Sequence, residues 1–241
     1  MGGVSADSAN ALSHMRLIGG IAKGLLPLLI FLNLTIPLQI CIADSYSPPF
    51  SYKKPSANGQ FLFVMIAPVT AESELSADAQ NIRATYRVSG LYLNNGSTVP
   101  LWTVDWYEPE VIVPSDGIHL IRQNTFPSSP SNRVLIFYAN GRELRSYTVD
   151  ELVDFKFLLP ETISHFYWQE KAVLNDDERT LSLTTLNKDR YVFDITSGKI
   201  LSSRRPTRMI IAVTVAVIIF LILLLVKRRS ALSRTHNRGS T

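Results

Sequence analysis

FYANGRELRSY, residues 137–147, holds a strand, a tight turn and a returning strand. Asn140-Gly141 supplies the positive φ that short hairpin turns need, and the flanking Phe137, Tyr138 and Tyr147 are strand-forming types. The same arrangement recurs in LYLNNGSTVPL (91–101), on Asn95-Gly96, and in FDITSGKILSS (193–203), on Ser197-Gly198. A second set of segments places a turn ahead of a strand: SANGQFLFV (56–64), PSDGIHLIR (114–122) and NDDERTLSL (175–183). From Phe61 to Leu201 short runs rich in Val, Ile, Leu, Tyr, Phe and Thr alternate with such turns, which is the pattern of strands. The two sets interleave, with turns near 58, 116 and 177 and turns near 95, 140 and 197. This divides the chain into three similar units repeating at roughly 45 to 60 residues.

The segments PSDGIHLI and YVFDITSGKIL resemble half-blades of β-propeller repeats of the WD40-like and quinoprotein-like types, where a strand, a glycine turn and a returning strand recur. The resemblance covers most of residues 58–201. It departs from those families in two ways: three units fall short of the four to eight blades that close a propeller, and no Gly-His…Trp-Asp signature is present. What it implies is a twisted antiparallel meander, either an incomplete propeller or one completed by self-association, with no quinone or metal site carried over to any residue. The expected fold is therefore mainly β, an antiparallel hairpin meander of about three propeller-blade-like units, followed by a C-terminal transmembrane α-helix.

Two stretches break the strand pattern. TAESELSADAQNIR (70–83) is polar and Ala-rich and reads as a loop or a short helix. Asp150 to Glu170 follows a capping-box spacing, Thr148 to Glu151, and reads as one short helix and a loop, an excursion of the kind that often carries binding contacts.

Two apolar segments flank the β-rich region. Leu25 to Ala43 follows a weakly basic lead-in and ends on a small residue, the order of a signal peptide. Residues 1–43 are expected to be a cleaved signal or, if retained, a signal anchor. Met209 to Val226, MIIAVTVAVIIFLILLLV, holds 18 residues with Thr214 as its one polar side chain. At 1.5 Å per residue it spans about 27 Å, close to the hydrocarbon core of a bilayer. Downstream lie Lys227, Arg228, Arg229, Arg234 and Arg238; upstream lie Arg204, Arg205 and Arg208. Five against three places the tail, 227–241, in the cytoplasm and the β-domain, 44–203, outside it. The short SSRRPTR stretch, with 204–208 as juxtamembrane linker, holds that domain near the bilayer.

Charge and cysteine exclude several classes. The chain is at +4 in total, but residues 44–207 carry 16 Lys/Arg against 19 Asp/Glu, which is −3. The basicity therefore sits in the flanks and reads as membrane topology, not as a nucleic-acid footprint. Cys41 is the one cysteine and lies in the first apolar run, so the domain has no disulfide, thiol nucleophile or cysteine metal site. Leu38-Gln39-Ile40 puts large residues where lipoprotein acylation at Cys41 needs a small one.

Candidate chemistry is sparse. Asp176-Asp177-Glu178 is the densest acidic run, but it lacks the alternating ligands and glycine of a calcium loop and reads as a solvated turn. Glu108, Glu110 and Asp116 could provide the two carboxyls of a glycoside hydrolase, with Trp102, Trp106, Tyr107 and Trp168 as sugar-stacking faces. Trp102 and Trp106 share strand parity, however, and read more simply as core. His119 and His165 lack the third ligand and the spacing of a zinc site and read as buried or edge histidines. Asn95-Gly96-Ser97 is a glycosylation sequon that coincides with a hairpin turn. The expectation is a membrane-anchored extracytoplasmic binding or assembly module, without cofactor, metal or nucleic acid. Its partners are the lipid bilayer and either a second protein or another copy of itself. The rival is an extracytoplasmic hydrolase acting on glycans through Glu108, Glu110 and Asp116. A weaker third option is a membrane sensor with a tail of about 15 residues.

Overall fold

The computed structural model describes residues 48–68 and 76–236, so the expected signal segment 1–43 lies outside the described residues. Three antiparallel four-stranded sheets follow one another along the chain. The first contains β1 (Tyr52–Pro55), β2 (Phe61–Met65), β3 (Gly90–Leu93) and β4 (Pro100–Thr103). The second contains β5 (Val111–Ile112), β6 (His119–Gln123), β7 (Arg133–Ala139) and β8 (Arg142–Thr148). The third contains β9 (Gln169–Asn175), β10 (Thr180–Thr185), β11 (Arg190–Asp194) and β12 (Ile200–Arg204). In each, every strand pairs with its neighbour in sequence, so the three expected units are three meanders.

The turns near 58, 116 and 177 are also hairpins, because strands β1, β5 and β9 precede them. These three are edge strands. An edge strand can be short, polar or proline-bearing because one side of its backbone faces solvent. YKKP, VI and QEKAVLN accordingly lack the apolar alternation that marks their partners.

Sheet 2 is buried on both faces. Leu120 pairs with Tyr138 and Ile121 with Phe137, and the period of two sends the first pair to one side and the second to the other. Leu120, Ile136 and Tyr138 join Phe63, Met65, Leu91 and Trp102 of sheet 1 in one core cluster. Ile121, Leu135, Phe137 and Tyr147 join Leu181, Leu183, Tyr191 and Phe193 of sheet 3 in another. Burial on both faces explains why β7, RVLIFYA, reads as an almost unbroken apolar run.

The outer faces end differently. On sheet 1, Val64 and Tyr92 are covered by α1 (Ala77–Thr85) through Ile82 and Tyr86. The hydroxyl of Ser76 caps this helix by accepting from the Ala79 amide at 3.0 Å. On sheet 3 the outer face carries Lys171, Ser182 and Arg190, all exposed. A helix on one end and a polar face on the other terminate the row, so the sheets do not close into a ring.

The tight turns gather on one rim. Asn58 donates from its amide to the Ser115 hydroxyl at 3.2 Å and from Nδ2 to the Ser115 carbonyl at 3.1 Å. Ser115 in turn donates from its amide and hydroxyl to Asp176, at 3.1 and 2.6 Å. One turn from each sheet thus enters a single relay. The Asn140-Gly141 turn has φ of 49° and 75°, the left-handed pair of a type I′ hairpin. A side chain at Gly141 would also meet the Thr103 carbonyl at 2.4 Å. Asp176→Ala removes the acceptor for both Ser115 donors and is expected to lower stability by about 1–2 kcal/mol. Asp177→Ala, at an exposed position of the same turn, is expected to leave it unchanged. Denaturant unfolding of the detergent-solubilised chain compares the two.

The opposite rim carries the longer connections, including α2 (Val149–Leu152) and a 3-10 turn at Lys156–Leu158. The expected capping box is present: the Thr148 amide donates to Glu151 Oε2 at 2.7 Å. From this rim leaves α3 (Pro206–His236). Its segment Pro206–Lys227, 22 residues, is long and apolar enough to cross a membrane, and none of it is buried. Thr214 satisfies its hydroxyl inside the helix, on the Ile210 carbonyl at 2.9 Å. Because β12 runs to Arg204 and α3 starts at Pro206, the expected linker shrinks to Arg205.

Candidate functional site

The connection rim contains a cleft of about 650 Å³ between the segment entering β1, the segment joining sheets 1 and 2, and the loop after β6. Its position follows from local chemistry. Pro48, Pro49 and Pro109 keep the first two segments extended. The Tyr107 hydroxyl accepts from the Phe50 amide at 3.1 Å and donates to the Phe50 carbonyl at 3.3 Å, while the Tyr52 hydroxyl donates to the Glu108 carbonyl at 2.8 Å. Two tyrosines therefore fasten residues that are 56 and 57 positions apart. Burial raises the proton affinity of both hydroxyls, with Glu108 adding to the effect, so they remain neutral donors.

Glu108 is buried in the wall of the cleft and accepts from Arg122 Nε at 2.9 Å. The Arg122 guanidinium lies 4.9 Å over the Trp106 ring, which in turn packs on Tyr138 at 5.2 Å and Phe63 at 6.3 Å. Burial raises the proton affinity of the Glu108 carboxyl; Arg122 opposes the rise and Glu110 adds to it. On the far wall His165 is buried, its ring 4.9 Å from Phe126 and 5.3 Å from Tyr167. Its Nδ1 lies 3.0 Å from the Ser164 hydroxyl. Asn132 Oδ1 orders the loop by accepting from the Ser128 and Ser129 amides at 3.0 and 2.9 Å. The result is a concave, largely aromatic and proline-lined surface with one neutralised ion pair, which suits holding a ligand segment.

The three candidate acids do not share a site. Glu108 and Glu110 lie close together at the connection rim, Glu110 being exposed, with its carbonyl accepting from the Gln123 amide at 3.3 Å. Asp116 belongs to the turn rim, at the other end of β6; a five-residue strand separates the rims by about 14 Å. It binds His119 Nδ1 at 2.6 Å. Burial pushes its carboxyl up, but hydrogen bonds from His119 and Ile118 overcome this and hold it below the usual range. Both histidines are buried, as expected. Trp102 and Trp168 are buried too and donate their indole N–H to the Gly117 and Asn124 carbonyls at 3.0 and 2.9 Å. Of the four suggested stacking faces, only Tyr107 reaches the cleft. The Asp176 carboxylate is held by Ser115.

A second constellation on this rim joins the β-domain to α3. Asp154 accepts from Arg205 Nη1 at 2.8 Å and from both Nε and Nη2 of Arg208. Arg205 also donates to the Glu151 carbonyl at 3.0 Å and stacks 5.3 Å over Tyr191, whose hydroxyl donates to the Leu152 carbonyl at 2.7 Å. The Thr207 hydroxyl donates to the Asn187 carbonyl at 2.5 Å. Nearby Asp189 is 1% exposed, and neither carboxylate oxygen has a hydrogen-bond partner among the described residues. Burial raises its proton affinity and Asp154 adds to this, against Arg205 and Arg208. The sequence reading missed this junction and Arg122. The available signal for Arg122 is a charge directly after Leu120-Ile121 in a strand-forming segment; Asp154 offers none, its partners lying 51 and 54 residues away. No protein-family model and no curated protein sequence matches the chain.

Proposed function

We propose that the protein is a single-pass membrane protein whose β-domain lies outside the cytoplasm and acts as a binding or assembly module. The observation that carries this reading is α3: a 22-residue apolar segment with no buried residue, bonded at its first turn to the domain through Arg208 on Asp154 and Thr207 on Asn187. An exposed apolar helix of that length is costly in water and is accommodated by a bilayer. The basic residues after Val226 outnumber those before Met209 and favour a cytoplasmic tail; Arg205 and Arg208 are moreover engaged by the domain itself. The cleft beside Glu108 and Tyr107 is the surface on which a protein segment would be held. If residues 25–43 stay in the membrane, the chain crosses twice with the domain on the same side.

Protease protection on sealed vesicles, with a tag after Thr241 and the mass of the mature chain, tests the topology. The expected result is a protected tag, a digested domain and a mature chain starting near Asp44. A digested tag with a protected domain overturns the orientation and assigns the domain to the cytoplasm. A second reading, glycan hydrolysis, is favoured by one observation, the raised proton affinity of Glu108 in an open cleft. It would use Glu108 as acid and Glu110 as its partner, since Asp116 sits on the other rim. Release of reducing ends from a glycan panel, abolished by Glu108→Gln, would establish it in place of the binding reading.

A further inference from the structure

We propose that the corner of the connection rim at Asp154–Phe157, none of which lines the cleft beside Glu108, lies in the headgroup layer of the bilayer, with Phe157 inserted beside the start of α3. The inference rests on the membrane-anchored reading and adds a lipid-contacting surface to it. The apolar run Met209–Val226 matches the hydrocarbon thickness by itself, at about 27 Å, which leaves Arg208 and Thr207 at its edge, in the headgroup layer. Both residues are bonded to the rim. Arg208 binds Asp154, and the Asn187 carbonyl accepts from Thr207 at 2.5 Å while Asn187 Nδ2 donates to the Phe155 carbonyl at 3.1 Å. Asp154 and Phe155 are therefore held at the same depth as the helix entry. Phe157 follows within the 3-10 turn, whose rise of about 2 Å per residue carries it only a few ångströms further.

Phe157 is 71% exposed. The Phe155 ring lies 6.1 Å away, edge-on to it. An exposed phenyl ring presented at the depth where a span enters the membrane gains by burial at the boundary of headgroups and acyl chains, as Phe and Leu do on interfacial helices, while its neighbours remain hydrated. Lys156 and Lys188 on the same rim are ion-paired with Asp150 and Glu170, so the surface is set by the apolar ring and not by excess positive charge.

The test uses the full chain with Cys41→Ala, reconstituted in vesicles of phosphatidylcholine and phosphatidylglycerol. A nitroxide is attached in turn at Phe157→Cys, at Val99→Cys and at Phe220→Cys. Val99 is 73% exposed on the turn rim and Phe220 is 61% exposed within the span, so none of the three changes opens the core. Collisions with dissolved oxygen report lipid, and collisions with a neutral nickel chelate report water. The expected result is oxygen in excess at 157 and 220 and the reverse at 99. Nickel in excess at 157 with oxygen in excess at 220 overturns the docking while leaving the span in place. Nickel in excess at both 157 and 220 overturns the membrane-anchored reading and the docking with it.

Discussion

Phe137→Ala is expected to lower the unfolding free energy by about 3–5 kcal/mol, the range for emptying a fully buried aromatic site. Phe137 has no exposed surface and sits where sheet 2 meets sheet 3. Its ring lies 5.5 Å from Phe193 and 6.3 Å from Tyr147. The backbone at Gly198 also approaches so closely that an added side-chain carbon would come within 3.1 Å of Phe137 Cβ. The cavity cannot collapse easily, because Tyr147 is fixed by its hydrogen bond to the Gly198 carbonyl at 2.7 Å, so the upper part of the range is the better expectation. For a domain of this size the midpoint of thermal unfolding should fall by roughly 10 °C. Val173→Ala, at a 42% exposed position on the outer face of sheet 3, should change stability by less than about 0.5 kcal/mol. Thermal scans followed by tryptophan fluorescence compare them, and equal midpoints for the two variants would mean that sheets 2 and 3 do not share the core described.

The three-unit organisation was legible because turn chemistry is local. Asn58-Gly59, Asn95-Gly96, Asp116-Gly117, Asn140-Gly141 and Ser197-Gly198 announce their own backbone conformation, and all five glycines have positive φ. β1, β5 and β9 were not legible, since an edge strand is held by backbone hydrogen bonds and asks little of its side chains. The site is harder still. Phe50, Tyr107, Arg122, Asn132 and His165 reach one cleft from separate segments, and no spacing rule connects them. Glu108 reads as a carboxylate beside aromatics, which is where it lies, whereas Asp116 is close to it in sequence only, because β5 carries the chain from Glu110 to the other rim. The tryptophans were ambiguous for a simple reason: a large aromatic with an N–H serves a core and a sugar platform equally well until its neighbours are known.

The junction between the β-domain and α3 carries the last large effect. Asp154→Asn is expected to lower stability by about 1–2 kcal/mol through loss of the Arg205 pair, above the value for an exposed ion pair and below that for a fully buried one. The relevant side chains are 14% exposed for Asp154 and 22% for Arg205; Arg208, reaching the same carboxylate from solvent, is left out of that figure. The hydrogen bond from Arg208, aided by Arg205 against burial, holds the Asp154 carboxyl below its ordinary range. A depressed folded-state value means that this contribution is complete above the unfolded value near 3.9 and disappears as pH falls through the lowered one. Asp189 has the opposite sign. Its proton affinity is raised by burial and by Asp154, so its contribution is complete below about 3.9 and is lost as pH rises through the raised value. In Asp154→Asn the two arginines retain Asp189 as the neighbouring carboxylate. Removing it as well should therefore be more damaging in that background than in the parent chain, with a coupling of about 1 kcal/mol. Unfolding of the parent, both single variants and the double variant between about pH 3 and pH 7 measures this. Strict additivity would show that the arginines are not shared between the two carboxylates, and an acid-side loss of stability unchanged in Asp154→Asn would show that Asp154 does not help fasten α3 to the domain, leaving that to Thr207 and Asn187.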